Sequence, residues 1–333
     1  MANARPQRID PNSLAKRPIP PKARARTKSG RSAAPVQRKA RLGDWIGAAR
    51  IPTLPLSIAP VLLGTAVARL VPAEDIDGGW HWLRALACLA VAVLLQIGVN
   101  FANDYSDGIR GTDAVRSGPL RLTASGAARP RQVLTVALVF FGLAAIAGLI
   151  ITVRSGHWWF LAVGAVCILA AWFYTGGKRP YGYAGLGELA VFIFFGLVAT
   201  VGTTFALVGT VPQDAWLAGI AAGAFAVAVL WVANLRDREQ DARVGKRTLA
   251  TRVPALAGRI IAVVLLAVPF GIAAFFTQFY DRAGFAFFAL LIVVPAAIIV
   301  LTAKTSRELV LVLRLIGLAS LAYALLLGWA IGF

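Results

Sequence analysis

The sequence predicts an all-α, polytopic membrane protein, and three observations carry that prediction. Apolar runs of about 20 residues recur along most of the chain, the length of helix that crosses the roughly 30 Å hydrocarbon core of a bilayer. Charged residues make up 15% of the 333 residues and hydrophobic ones 58%, where globular domains carry about a quarter and a half. The runs also stay apolar throughout, whereas strands of a membrane barrel would alternate polar and apolar positions. A soluble enzyme and a disordered polypeptide are excluded on the same grounds.

Residues 1–42 are of different composition, rich in Arg, Lys, Pro and Ser with Asp10 as their one acid. No apolar stretch follows the early charges, so the segment does not read as a secretory signal. Its prolines (Pro6, Pro11, Pro18, Pro20, Pro21 and Pro35) break any amphipathic helix. The expectation is a disordered basic tail on the cytoplasmic side, drawn to anionic lipid. The tail explains much of the net charge of +19, so a nucleic-acid partner is not needed.

Residues 43–333 form the second unit, with nine expected spans at about 51–70, 82–102, 132–152, 158–175, 187–210, 215–234, 259–279, 284–302 and 311–332. Span 1 opens Arg50-Ile-Pro52-Thr53-Leu54-Pro55, where prolines suit a helix start or a kink. The distribution of Lys and Arg orients the bundle. With the N-terminus inside, 13 lie in residues 1–50, 17 in the cytoplasmic loops and adjacent helix ends, and four (Arg69, Arg84, Arg154 and Arg282) on the opposite side. The expected topology is N-inside and C-outside, in the cell membrane. The long loops, after spans 2 and 6, are both cytoplasmic and lie four spans apart, which hints at two parallel halves. Cys88 and Cys167 lie within apolar runs without a metal or disulfide pattern, and His81 and His157, flanked by tryptophans, read as interfacial residues.

The chemistry-bearing residues sit at the ends of spans 2 and 6. Asn100, Asp104 and Asp107 are spaced i, i+4, i+7; Asn234, Asp237 and Asp241 are spaced i, i+3, i+7. Each set shares one helix face. Acids in such places also serve simply to mark the water boundary. Two matching faces leading into two long loops on one side point instead to a hard divalent cation, since Mg²⁺ commonly bridges one or two carboxylates to substrate phosphates. Lys246 and Arg247 after the second face, and Arg116 and Arg121 after the first, could hold phosphate oxygens. Glu188, entering span 5, reads either as a cavity-facing acid that handles a substrate proton or as a helix-start acid favoured by the macrodipole.

These segments resemble the UbiA superfamily of intramembrane aromatic prenyltransferases. The resemblance covers about 43–333 and rests on Arg50-Ile-Pro-Thr-Leu-Pro-Leu-Ser-Ile-Ala-Pro-Val-Leu-Leu-Gly64, Asn103-Asp-Tyr-Ser-Asp-Gly and Ser117-Gly-Pro-Leu-Arg121. It continues through Arg179-Pro-Tyr-Gly-Tyr-Ala-Gly-Leu-Gly-Glu188, Phe194-Phe-Gly196 and Asn234-Leu-Arg-Asp-Arg-Glu-Gln-Asp241 with Gly245-Lys-Arg-Thr-Leu249. The Asp-rich pairs belong to the whole superfamily; the Pro-Thr-Leu-Pro-Leu opening and the Arg-Pro-Tyr-Gly-Tyr segment are most like the branch that prenylates 1,4-dihydroxy-2-naphthoate in menaquinone biosynthesis.

The resemblance implies nine helices around a central cavity, the Asp motifs at its cytoplasmic mouth, and Mg²⁺-dependent transfer of a polyprenyl group from polyprenyl diphosphate to the naphthoate with decarboxylation. It implies two Mg²⁺ ions, one held by Asn100, Asp104 and Asp107 and the other by Asp237 and Asp241, with Asn234, Arg50, Arg116, Arg121, Lys246 and Arg247 on the diphosphate. The first motif here, Asp-x-x-Asp, is shorter than the Asp-x-x-x-Asp of many members, so either Asp107 or Asp113 completes the first metal shell; the shared helix face favours Asp107. Two other readings remain: the same chemistry on hydroxybenzoate or homogentisate, and, from a different class, a transporter. Transport sites usually lie near the bilayer midplane, whereas these acids cluster at one face.

Overall fold

Helices account for nearly all of the ordered architecture in the computed structural model, which describes residues 38–72, 82–112 and 121–332. The expected tail therefore falls, up to residue 37, outside the described residues, as do His81, Asp113 and Arg116. The Ala40 N–H donates to the Ala127 carbonyl at 2.9 Å, just ahead of a short helix α1 (Leu42–Ala48). Asp44 in its first turn accepts hydrogen bonds from Arg38 and from the Arg41 backbone, which lower its pKa below the ordinary value.

All nine apolar segments fall on helices. Two of these are short: α2 (Pro55–Ala68) and α5 (Phe160–Phe173). The others are α3 (Trp82–Arg110), α4 (Pro130–Ser155), α6 (Gly187–Val208), α7 (Gln213–Arg243), α9 (Ala255–Phe276), α10 (Asp281–Thr302) and α11 (Ser306–Gly332), with a one-turn α8 (Leu249–Arg252) before α9. Those seven are long and apolar enough to cross a membrane; an eighth crossing results when Leu42–Thr53 and α2 are counted as one span bent by 45°. The bend falls at the paired prolines: Pro52 is the second residue of a 3₁₀ turn (Ile51–Thr53) and Pro55 opens α2, first-turn positions where a missing N–H is tolerated. Large side chains such as Leu291 and Leu256, 76% and 67% exposed, cover the outer surface, as expected where the solvent is lipid.

Two packed groups of helices flank the middle of the molecule. One joins α1, α3, α4 and α5 around Phe101, Val133 and Phe141. The other joins α2, α7, α9, α10 and α11 around Phe225, Phe270 and Tyr323, whose rings meet at centroid distances of 5.5 to 6.3 Å. Each group contributes one long helix that carries an Asn/Asp face. Both helices outrun the expected spans, α3 to Arg110 and α7 to Arg243, so the two motifs are helical rather than part of the loops that follow.

Small residues let the helices approach closely, as membrane helices require in place of a hydrophobic driving force. Gly64 on α2 lies against the Thr200 backbone of α6, and a side chain there would collide with the Thr200 carbonyl. The Thr204 hydroxyl donates back to the Gly64 carbonyl at 2.9 Å. On α6 the turns widen into a π stretch (Phe192–Val198), and within it Gly196 faces α7, where an added Cβ would lie 2.6 Å from the Gly219 carbonyl oxygen and 2.7 Å from the Gly223 Cα. Gly196→Ala is expected to destabilise the protein by about 1–3 kcal/mol through overpacking. Gly142→Ala on exposed α4 surface, with nothing within 4 Å, is expected to be neutral or slightly stabilising; melting both variants in detergent tests this.

Candidate active site

At the end of α3, the Asn and Asp side chains have partners. Asn100 donates through Nδ2 to the Ala49 carbonyl at 2.9 Å and to Thr53 Oγ1 at 3.3 Å, while Gln96 Nε2 donates to the same hydroxyl at 2.9 Å. A carbonyl can only accept, so the amide nitrogen of Asn100 must face it. The side-chain oxygen is then the atom left for a cation. These bonds fasten α3 to the turn at Arg50, the one described non-glycine residue in a left-handed conformation, at φ 54°. Such a conformation is unfavourable for an L-residue. It is held by the Arg50 carbonyl, which accepts both the Thr53 N–H and the Thr53 hydroxyl at 2.8 Å.

One turn on, Asp104 clamps the segment that leads into α4. Its Oδ2 accepts the Leu122 N–H at 2.9 Å and its Oδ1 the Thr123 N–H at 2.8 Å. Asp107 accepts a 2.6 Å hydrogen bond from the Tyr183 hydroxyl, and Asn103 accepts one from Thr175 at 2.7 Å. Arg110 reaches the carbonyls of Thr175 and Gly177. The link between α5 and α6 is thereby tied to α3.

At the end of α7, the acids are matched with cations. Arg236 makes a bidentate pair with Asp237, both contacts 2.7 Å, with side chains 8% and 5% exposed. Lys246 Nζ lies 3.2 Å from Asp241 Oδ2. Tyr183 joins the two ends: its carbonyl accepts the Arg247 N–H at 3.0 Å, its ring lies under Lys246 at 5.5 Å and Arg110 at 5.8 Å, and its hydroxyl serves Asp107. Burial, with the Asp107 carboxylate beside it, pushes the Tyr183 phenol well above the ordinary tyrosine pKa, so it stays a donor across the working pH range. Deeper in, Asn234 Nδ2 donates to Glu188 Oε1 at 2.9 Å.

Between the two helix groups lies a cavity of about 700 Å³, walled largely by apolar side chains that include Phe194 and Phe195 of the π stretch. Its polar end is formed by Asn100, Asp104, Asp107, Asn234, Arg50, Arg121 and Lys246. A smaller recess brings Asp107, Asp237, Asp241 and Lys246 together with Tyr183 and Gln240. The two motifs therefore meet as the helix faces predicted, with Asp107 common to both spaces.

Not every expected residue arrives there. Glu188 lines neither space; it stands behind Asn234, whose amide intervenes, so the cavity-facing reading is corrected to a second-layer one. Arg247 also lines neither space: it is exposed, and it meets Tyr183 through its backbone N–H. Three participants carried no earlier assignment. Tyr183 stood only as one position of the Arg179–Glu188 motif, Arg236 was hidden by its position next to Asp237, since neighbours on a helix do not normally face each other, and Gln96 read as part of an apolar span.

Among the described residues no three carboxylate or imidazole groups converge as a preformed metal cage. The donors are nevertheless those a hard cation takes: an amide oxygen and carboxylates at 1–6% exposure, with cations nearby that suit phosphate oxygens. Such a set fits Mg²⁺ that completes its shell with substrate phosphates.

The clamp at Asp104 generates a structural prediction. Asp104→Ala removes two hydrogen bonds to an ionised group, each worth about 1.5–3 kcal/mol, so amide exchange at Leu122 and Thr123 is expected to quicken by about 10-fold or more while α3 stays protected. Unchanged exchange at both amides would contradict the clamp.

Comparison with known proteins agrees with this architecture. Residues 57–315 match the model of the UbiA prenyltransferase family. The chain is 44% identical over 308 residues to the 1,4-dihydroxy-2-naphthoate octaprenyltransferase of Mycobacterium tuberculosis, an alignment that covers 88% of this chain and 98% of that protein. It is 47% identical over 214 residues to the corresponding protein of Mycobacterium leprae, covering 64% and 70%. In structure it resembles a UbiA homologue of Archaeoglobus fulgidus bound to GPP and Mg²⁺, with a TM-score of 0.54 at 14% identity and coverage of 87% and 99%. On helix order, paired Asp motifs and family match alike, this chain belongs to the UbiA prenyltransferase family.

Proposed function

We propose that this protein transfers a polyprenyl group from polyprenyl diphosphate to 1,4-dihydroxy-2-naphthoate, with loss of CO₂, to give demethylmenaquinol. The observation that carries this reading is the joining of one apolar cavity to a polar end built from both Asn/Asp faces. The mycobacterial relatives' names support the acceptor. The excess of Lys and Arg on one side supports a multi-pass protein of the cell membrane whose N-terminus and active-site mouth face the cytoplasm.

The residues divide the task by their chemistry. Asn100, Asp104 and Asp107 on α3, and Asp237 and Asp241 on α7, would hold Mg²⁺ in two positions; the family structure bound to GPP and Mg²⁺ supports the choice of ion. Bound there, Mg²⁺ would neutralise charge that builds on the departing diphosphate. Lys246, Arg236 and Arg121 stabilise the same charge, and Arg50 and Arg247 add to the positive field at the mouth. For that, Arg236 and Lys246 exchange their carboxylate partners for phosphate oxygens. The apolar walls take the prenyl chain and keep water from the allylic cation. The ring attacks through the carbon that bears the carboxylate. A C–C bond forms there as the allylic C–O bond breaks, and the electron pair of the departing CO₂ returns to the ring. A hydroxyl proton released on attack is recovered when the ring regains aromaticity. Glu188 acts through Asn234: by accepting the amide nitrogen it turns the amide oxygen toward the cavity and the acceptor.

In detergent with Mg²⁺, a polyprenyl diphosphate and the naphthoate, the protein is expected to form the decarboxylated, prenylated product seen by mass. Asp107→Asn and Asp237→Asn are each expected to lower kcat/KM by about 100- to 1000-fold, and chelation of Mg²⁺ should abolish turnover until the ion is restored. Product from hydroxybenzoate or homogentisate but not from the naphthoate would move the protein to another acceptor. Glu188→Gln keeps an acceptor for Asn234 and is expected to lower kcat less than about 10-fold, whereas Glu188→Ala strands a buried amide and should lower it further.

A further inference from the structure

Arg314 stands outside the machinery described so far. It lies on α11, eight residues past Ser306, which places it about 12 Å along a helix that enters the membrane. Ionisable side chains within a membrane-spanning segment normally have a partner or a functional target. Among the described residues Arg314 makes no hydrogen bond, ion pair or ring contact. Its side chain is exposed, and with Val310 and Leu313 it lines the large cavity. One turn further on, Gly317 packs against the Pro52 carbonyl, where an added Cβ would lie 3.1 Å away. That crossing holds Arg314 beside the wall that the Arg50 turn also builds.

The charges at the polar end are otherwise assigned. Lys246 and Arg236 are paired with Asp241 and Asp237, and the recess that gathers Asp107, Asp237 and Asp241 includes Lys246 but not Arg314. The proposed reaction brings two anions into one cavity, a diphosphate and the carboxylate of the acceptor. Two anions near one reaction centre repel unless each has its own counter-charge, and a guanidinium offers the planar fork that a carboxylate fits.

Resting on the reading above, we propose that Arg314 is a specificity-determining residue that receives the carboxylate of the aromatic acceptor. It orients the ring so that the carboxylate-bearing carbon faces the allylic cation, while the diphosphate is held from α3 and α7. The ion pair exists in the bound substrate and dissolves as CO₂ leaves. Arg314 therefore contributes to capture and orientation of the acceptor more than to the chemical step, and its loss shows in KM before kcat.

Steady-state kinetics on Arg314→Gln and Arg314→Lys test this, in neutral detergent and in vesicles containing phosphatidylglycerol. Arg314→Gln is expected to raise KM for 1,4-dihydroxy-2-naphthoate by about 10- to 100-fold, with KM for the polyprenyl diphosphate unchanged and kcat within a few-fold. Arg314→Lys should recover part of the loss, and 1,4-naphthalenediol, which lacks the carboxylate, should bind wild type and Arg314→Gln alike. Melting temperatures establish that the variants are folded; an Arg314→Gln protein that does not fold, beside a folded Arg314→Lys with wild-type kinetics, would make the residue structural. An unchanged naphthoate KM, or an equal rise for the diphosphate, would overturn the proposal. So would a defect seen only in anionic vesicles, which would assign Arg314 to lipid headgroups. A wild-type protein that makes no product from the naphthoate would instead bring down the underlying function, and this proposal with it.

Discussion

Charge held at the end of a helix bundle must be answered from within the bundle, and that constraint organises this structure. Asn100, Asp104, Asp107, Asn234, Asp237 and Asp241 are all buried. An ionised carboxylate in such surroundings is costly unless it is paired or hydrogen-bonded. The partners come from every neighbouring connection: the Arg50 turn for Asn100, the segment before α4 for Asp104, the α5–α6 link for Asp107, and the strand of chain after α7 for Asp241. The loops that look long and polar in sequence are therefore the counter-charges and donors that make the acidic helix ends tolerable.

The same arrangement suits the proposed chemistry. Pairs such as Arg236 with Asp237 and Lys246 with Asp241 hold cations and carboxylates side by side, and on the proposed function they re-pair around a diphosphate and its Mg²⁺. Breaking a buried pair without replacement is strongly unfavourable. A substrate that supplies both phosphate oxygens and a divalent ion offers both halves of each pair a new partner at once. Tyr183, bonded to Asp107 and stacked beneath Lys246 and Arg110, ties the motif of one helix group to the basic segment of the other.

Small residues supply the other half of the design. Gly64, Gly196, Gly219 and Gly223 let α2, α6 and α7 touch through their backbones, and the π stretch of α6 widens the helix next to the cavity wall. Such bulges recur at functional sites. Here the bulge carries Phe194 and Phe195 to the cavity while its glycine keeps contact with α7. Close packing behind the wall and open space before it come from one segment.

The sequence by itself determined the class of protein and the elements of its chemistry. Apolar run length set the helices, and the i, i+4, i+7 and i, i+3, i+7 spacings put each acid set on one face, because helical geometry is local and periodic. Pro52 and Pro55 marked the bend at the start of α2 for the same local reason. Only the tertiary structure decided which groups meet. Glu188 stands behind Asn234, Arg247 turns out, Asp104 holds a loop, and Tyr183 binds an acid 76 residues away. None of these follows from periodicity, since each depends on how the two helix groups close on one another and on which buried polar atom lies within reach of the next.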